Sequence, residues 1–171
     1  MAAATKKIRR RRAAGELAVE QTRDLASVAR MLAGAGMLAG GVESPGACYL
    51  TAYVGEESAG VVGIEVRVDA ALMRSLMVVE SMRRRGIGAA LVAAARLAAH
   101  TRGARTLYAI ARADDAIGYF ARFGFAPAAA DEMLAALAGT CMADHLREHP
   151  EDLARIRAWS LDISRDGVIN R

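Results

Sequence analysis

The stretch SLMVVESMRRRGIGAALVAAARLAAH, Ser75 to His100, decides the fold. An apolar strand pattern runs straight into Arg83-Arg84-Arg85, a Gly86-Ile87-Gly88 turn and an alanine-rich helix. A helix start carries unbonded N–H groups and a partial positive charge. Gly86 and Gly88 leave that backbone open to an anion, and the three guanidinium groups beside it match phosphate geometry. The junction therefore reads as a phosphate site. It is not the Rossmann fingerprint, because Leu91 stands where the third glycine is required. Nor is it a Walker A loop, since the chain holds no Gly-Lys-Ser/Thr.

Working outward, GELAVEQ (15–21) predicts a first strand, and Asp24 caps a helix whose Leu25, Val28, Ala29 and Leu32 recur at helical spacing. The Gly-rich run 34–46 predicts a loop. ACYLTAYV (47–54), the turn GEES (55–58) and AGVVGIEVRV (59–68) form a hairpin pattern, and ALMRSLMVV (71–79) is the next strand. After the 86–102 helix, closed by Gly103, RTLYAIA (105–111) is a strand. DDAIGYFARF (114–123) reads as a helix capped by Asp114 or Asp115 and stopped by Gly124. GFAPA starts another strand, residues 131 to about 157 read as a helical insert with a break near Pro150, and AWSLDIS (158–164) is a last strand. This order predicts an α/β fold with a mixed central β-sheet flanked by helices. Residues 15–171 form one domain behind a basic tail, 1–14.

The charge of +4 belongs to that tail. Residues 1–12 hold six of the cations and no acid; without them 17 basic residues face 19 acidic ones. The tail reads as a solvated, disordered terminus, so nucleic acid is not expected as a partner. No uncharged apolar run reaches membrane-spanning length, and the first residues lack the apolar core of a secretory signal. Cys48 and Cys141 are too few for a disulfide framework, so a cytoplasmic protein is expected.

Arg83-x-x-Gly86-x-Gly88-Ala89 behind an apolar strand resembles the acyl-CoA pyrophosphate loop of the GNAT superfamily of N-acetyltransferases. ADDAIGYFARFGF (113–125) resembles that family's helix and Gly-Phe turn beside the pantetheine arm. The resemblance covers roughly residues 16–165. Within the superfamily, GIEVRVDAALMRSLMVV and YFARFGF look most like the arsenic-resistance and N-acetylglutamate-synthase-like enzymes. It implies the GNAT fold, with the sheet splayed between strands 4 and 5. It further implies acetyl-CoA as co-substrate, direct attack by a small primary amine such as an amino acid or analogue, and a homodimer. The alternatives are a protein or peptide N-acetyltransferase and a catalytically silent acyl-CoA-binding regulator.

Carried onto this chain, the resemblance assigns Leu76, Met77, Val78, Arg83, Arg84, Arg85, Gly86, Ile87, Gly88, Ala89 and Phe120 to acyl-CoA. The N–H of Val78 or Met77 is the oxyanion donor. Phe120 replaces a frequent tyrosine and Ala113 a frequent asparagine, so the usual proton donor to the thiolate is missing. Tyr119, one helical step of about 100° away, is expected to face elsewhere. Glu65, among Val61, Val62, Ile64 and Val66, is the candidate base, for an apolar setting favours its protonated form. Arg74 is expected to hold a substrate carboxylate or, failing that, to pair with Glu65 or Asp69. Cys141, His145 and His149 share helical spacing, but Pro150 and the want of a fourth ligand argue against a metal.

Overall fold

The computed structural model describes residues 13, 15–37, 41–112 and 118–165. The basic tail, apart from Ala13, lies outside the described residues, as do Ala113 and the proposed caps Asp114 and Asp115.

Seven strands form one sheet: β1 Leu17–Thr22, β2 Ala47–Val54, β3 Glu57–Arg67, β4 Ala70–Val78, β5 Thr106–Arg112, β6 Ala126–Ala128 and β7 Ile156–Asp162. Their order across the sheet is β1-β2-β3-β4-β5-β7-β6, and every pairing is antiparallel except β4 with β5. The mixed sheet expected from the sequence is thus present. β6 closes the far edge with three residues, one of them Pro127, which denies a further strand a ladder to join.

The helices are α1 Leu25–Gly34, α2 Ile87–Thr101, α3 Ala130–Ala136, α4 Cys141–Glu148 and α5 Pro150–Leu153. Asp24 caps α1, its Oδ1 accepting from the Ser27 N–H at 3.0 Å. α2 lies on one face of the sheet, where Ile87, Leu91, Val92, Ala95 and Ala99 meet Leu50, Val62, Ile64 and Met73. On the other face two apolar patches sit side by side. One joins α1 to Tyr49, Val61 and Met77. The second joins α3 and α4 to Leu72 and Tyr108. Glu65, which bonds to the start of α4, and Arg74, beside Tyr49, link these two patches.

The helical insert is three short helices rather than one broken at Pro150. α3 is capped at Leu137, Gly139 turns the chain at φ +83°, and Thr140 starts α4 by accepting the Ala143 N–H. Pro150 opens α5, where its missing N–H costs nothing. The helical pattern predicted to about Arg157 stops earlier, because β7 begins at Ile156 and pairs with β5 over its whole length.

Candidate active site

β4 and β5 are paired only over Ala70–Met73 with Thr106–Ala109. Beyond that β4 follows β3 to Val78, while β5 follows β7 to Arg112, and a gap opens between them. A bulge marks the parting. Val61 faces Met77 and Gly63 faces Arg74, so β4 spends one residue more than β3. Ser75 absorbs it in the left-handed region, at φ +54°. The β4 edge beyond the bulge is left without a partner strand. Val79 donates its N–H to Ala59 of β3 at 2.9 Å. Successive amides of a strand point to opposite edges, so the Val78 N–H faces the gap and that of Met77 faces β3.

At the mouth of the gap stands the start of α2. Arg84 and Gly86 are left-handed, at φ +62° and +80°, which gathers neighbouring N–H groups on one side. The first amide bonded within the helix is that of Ala90, to the Gly86 carbonyl at 3.0 Å. Among the described residues no side chain caps the end. The amides of Ile87, Gly88 and Ala89 therefore remain available to an anion. Arg83 donates from Nε to the Val78 carbonyl at 3.2 Å, tying the basic loop to the gap edge, and Arg84 and Arg85 are exposed beside it.

Phe120 and Tyr119 face different ways, as expected of neighbours one helical step apart. Phe120 is 4% exposed and packs on Phe125 and Trp159. Tyr119 instead reaches α2: a β-carbon on Gly88 would stand 2.6 Å from its hydroxyl and 3.8 Å from Val78 Cγ2. The helix expected over 114–123 is, within the described residues, a 3₁₀ turn, Phe120–Phe123, entered through Gly118 at φ +91°. Burial pushes the Tyr119 phenol up, with Arg122 pulling the other way, so at neutral pH it is a hydrogen-bond donor.

Deeper in the sheet, Tyr49, Gly63 and Arg74 lie in register across β2, β3 and β4. A side chain on Gly63 would strike Tyr49 Cε1 at 2.6 Å and Arg74 Cγ at 3.2 Å. Glycine there lets the tyrosine ring and the arginine stem share one space. Arg74 extends to Glu65, two positions along β3, and its Nη1 donates to Glu65 Oε1. Both are buried, at 4% and 3% exposure. Glu65 Oε2 accepts the Met142 N–H at 3.3 Å, which joins the pair to the start of α4. Arg74 thus has Glu65 as its ion-pair partner, one of the two outcomes expected for it, and Asp69 instead accepts the Arg105 and Thr106 amides through its carbonyl.

Three groups not foreseen join this cluster. Around Gly41, at φ +72°, a β-carbon would meet Cys141 Sγ at 2.7 Å, Ser44 Oγ at 3.0 Å and Arg74 Nη1 at 3.4 Å. The Tyr49 hydroxyl is fully buried; burial pushes its ionisation up and the Arg74 guanidinium pulls it down. An isolated Gly in a strand, Gly63, was the available signal for Tyr49; nothing in the sequence pointed to Gly41. An open cleft of about 420 Å³ between α1 and the loop, lined by Leu25, Ala26, Ala29, Val42, Glu43 and Ser44, shares Gly41 and Ser44 with this cluster. It is large enough for a small organic molecule.

Cys141, His145 and His149 do not all converge: the His145 and His149 rings lie 4.4 Å apart, but Cys141 is directed elsewhere. Cys141 turns to Gly41, while His145 lies 3.1 Å from Asp152 and His149 3.3 Å from Glu151. No group of side chains able to hold a metal occurs among the described residues. Among them, too, no helix is long and apolar enough to cross a membrane.

A mixed sheet parted between parallel β4 and β5, bulged in β4, with a bare helix start at the opening, is the acyl-CoA N-acyltransferase fold. Residues 45–127 match the model of the acetyltransferase (GNAT) domain. No curated protein sequence matches it. Among solved structures it is similar to N-acetylglutamate synthase from Neisseria gonorrhoeae complexed with coenzyme A and L-arginine. There the TM-score is 0.64 at 15% identity over 85% of this chain and 33% of that one. The chain thus spans about a third of the synthase. It is also similar to the ribosomal-protein-S18-alanine N-acetyltransferase from Escherichia coli (TM-score 0.65, 18% identity, 91% of this chain and 99% of that one). A third likeness is to a Bacillus subtilis acetyltransferase in complex with CoA (0.63, 19%, 86% and 99%).

Proposed function

We propose that the protein is an acyl-CoA-dependent N-acetyltransferase that moves the acetyl group of acetyl-CoA to the primary amine of a small molecule, an amino acid or an analogue. The observation that carries this reading is the open β4 edge leading to an uncapped, arginine-flanked helix start. The diphosphate takes the Ile87, Gly88 and Ala89 amides, with Arg83, Arg84 and Arg85 around it. The pantetheine arm lies along Leu76–Val78 as an added strand would, which places the thioester carbonyl near the Val78 N–H.

The neutral amine attacks the thioester carbon. A C–N bond forms, the carbonyl oxygen takes up charge against the Val78 N–H, and the C–S bond then breaks. The departing thiolate takes its proton from solvent. Glu65 and Arg74 serve the acceptor. A substrate carboxylate takes the Arg74 guanidinium bidentately, and the Glu65 oxygen so released accepts the ammonium proton, directly or through a water. Support comes from the position of the pair beside Ser44 and the 420 Å³ cleft.

A second reading, the α-amine of a peptide, draws on the likeness to the alanine N-acetyltransferase along that protein's whole length. Thiol release from acetyl-CoA is the test, with amino acids, their amides, and an alanine-headed peptide as acceptors. An amino acid should be turned over with a KM at least ten-fold below that of its amide, the loss expected for one charged hydrogen-bonding partner. Equal KM values would remove the carboxylate role of Arg74. Preference for the peptide would install the second reading, and CoA binding without turnover of any amine would make the protein a silent binder.

A further inference from the structure

Tyr119 is the residue that this fold places without an evident task. Its ring is wedged edge-on between Phe120 and Phe123, at centroid distances of 5.4 and 5.2 Å, so the hydroxyl has little freedom. Arg122 lies over the same ring, its guanidinium carbon 5.0 Å from the centroid. The hydroxyl is aimed at Gly88, the second residue of α2, and glycine there is what admits it. No hydrogen bond ties the Tyr119 hydroxyl to a described residue. It stands beside Gly88, in the helix start whose first amides are donors too. A phenol beside a helix start, with the arginines of the 83–85 loop next to that start and Arg122 over the phenol ring, calls for an acceptor of negative charge as partner.

We propose that Tyr119 binds the diphosphate of the acyl-CoA, donating to a phosphate oxygen beside the α2 amides, with Arg122 held over its ring as a fourth guanidinium of that subsite. The tyrosine then serves the phosphate end of the co-substrate and not its sulfur. This rests on the acetyltransferase reading and adds to it a role for two residues outside the Arg83–Ala89 loop. It also gives Gly88 a second reason to lack a side chain: it makes room for the phenol as well as for the anion.

The experiment is calorimetric titration of the full-length protein and its Tyr119→Phe and Arg122→Gln variants with CoA and with ADP, which keeps the diphosphate and lacks the thiol arm. Phenylalanine fills the same packing space, and melting temperatures establish that each variant is folded. Tyr119→Phe should weaken CoA and ADP alike, by about ten-fold or more, as expected for a hydrogen bond to a charged group. Arg122→Gln should act in the same direction on both ligands. The basic limb of the pH–kcat profile should stay where it is in the wild type. Unchanged affinity for both ligands overturns the proposal. So does a shift of that limb with CoA affinity retained, which would mark Tyr119 as the proton donor to the thiolate. Failure of the wild-type protein itself to bind CoA overturns the acetyltransferase reading and this one with it.

Discussion

Replacing Arg74 by methionine removes the cation that faces the Glu65 carboxylate at 3% exposure. The Met142 amide, 3.3 Å away, is then the partner that carboxylate retains. Breaking one side of a buried ion pair costs about 3–5 kcal/mol, because the charge left behind has lost both water and partner. In a domain of this size about 1 kcal/mol moves the melting point by roughly 2–4 °C, so Arg74→Met should melt about 6–20 °C lower. Glu65→Leu should also destabilise, by taking the carboxylate from a buried guanidinium. The double variant behaves differently. With both charges gone, what stays unmet is chiefly the Met142 N–H, worth about 1–3 kcal/mol. The double variant should therefore be more stable than the sum of the single losses implies, with a coupling energy of about 3 kcal/mol or more. Equilibrium urea denaturation of the four proteins measures this. All three variants should also lose turnover of a carboxylate-bearing amine, the double variant included, which separates the stability role of the pair from its substrate role. Additive losses, with the double variant the least stable by their sum, would refute the view that the two side chains answer each other.

Two further outcomes follow from backbone geometry. Gly60→Ala sets a β-carbon 2.5 Å from the Met77 carbonyl and 3.3 Å from Val78 Cα, both backbone atoms; it should cost about 3 kcal/mol, the upper end of overpacking, and weaken CoA binding, as read by melting and CoA titration. Val68, 80% exposed and left-handed at φ +51° in the β3–β4 turn, carries strain with no burial to offset it; Val68→Gly should raise stability by about 0.5–1 kcal/mol, and a lower melting point would count against that strain.

The elements of this fold were legible where local chemistry alone sets them. Asp24 before an apolar-periodic run, two alternating strands around GEES, and Gly86 at the head of an alanine-rich helix each specify their own geometry. The gap between β4 and β5 was legible only through the family resemblance of the loop that follows it. Its physical origin, a one-residue bulge at Ser75, has no sequence mark, since serine is neither glycine nor asparagine and gives no warning of φ +54°. The break at Gly139-Thr140 was passed over because a helical pattern continued across it, and only the cap hydrogen bond reveals a new start.

The candidate site divides in the same way. The phosphate loop is contiguous, so seven consecutive residues could be read together. The acceptor side is assembled from β2, β3, β4, α4 and the loop before β2, and its chemistry depends on register. Gly63 could be read as a place where something comes close, but that Tyr49 from one side and Arg74 from the other are what come close follows only from the pairing of three strands. A one-residue slip of β3 against β4 would turn Glu65 to the opposite face, into the α2 core, and strand Arg74 on the other. The glycines at 60 and 63 oppose such a slip, because only in this register do they lie under Met77 O and beneath the Tyr49 ring. The same two positions that let β4 approach β3 closely enough to leave its far edge open also fix which charged pair stands behind that edge. Register, more than any single side chain, therefore couples the acyl-CoA side of the gap to the acceptor side.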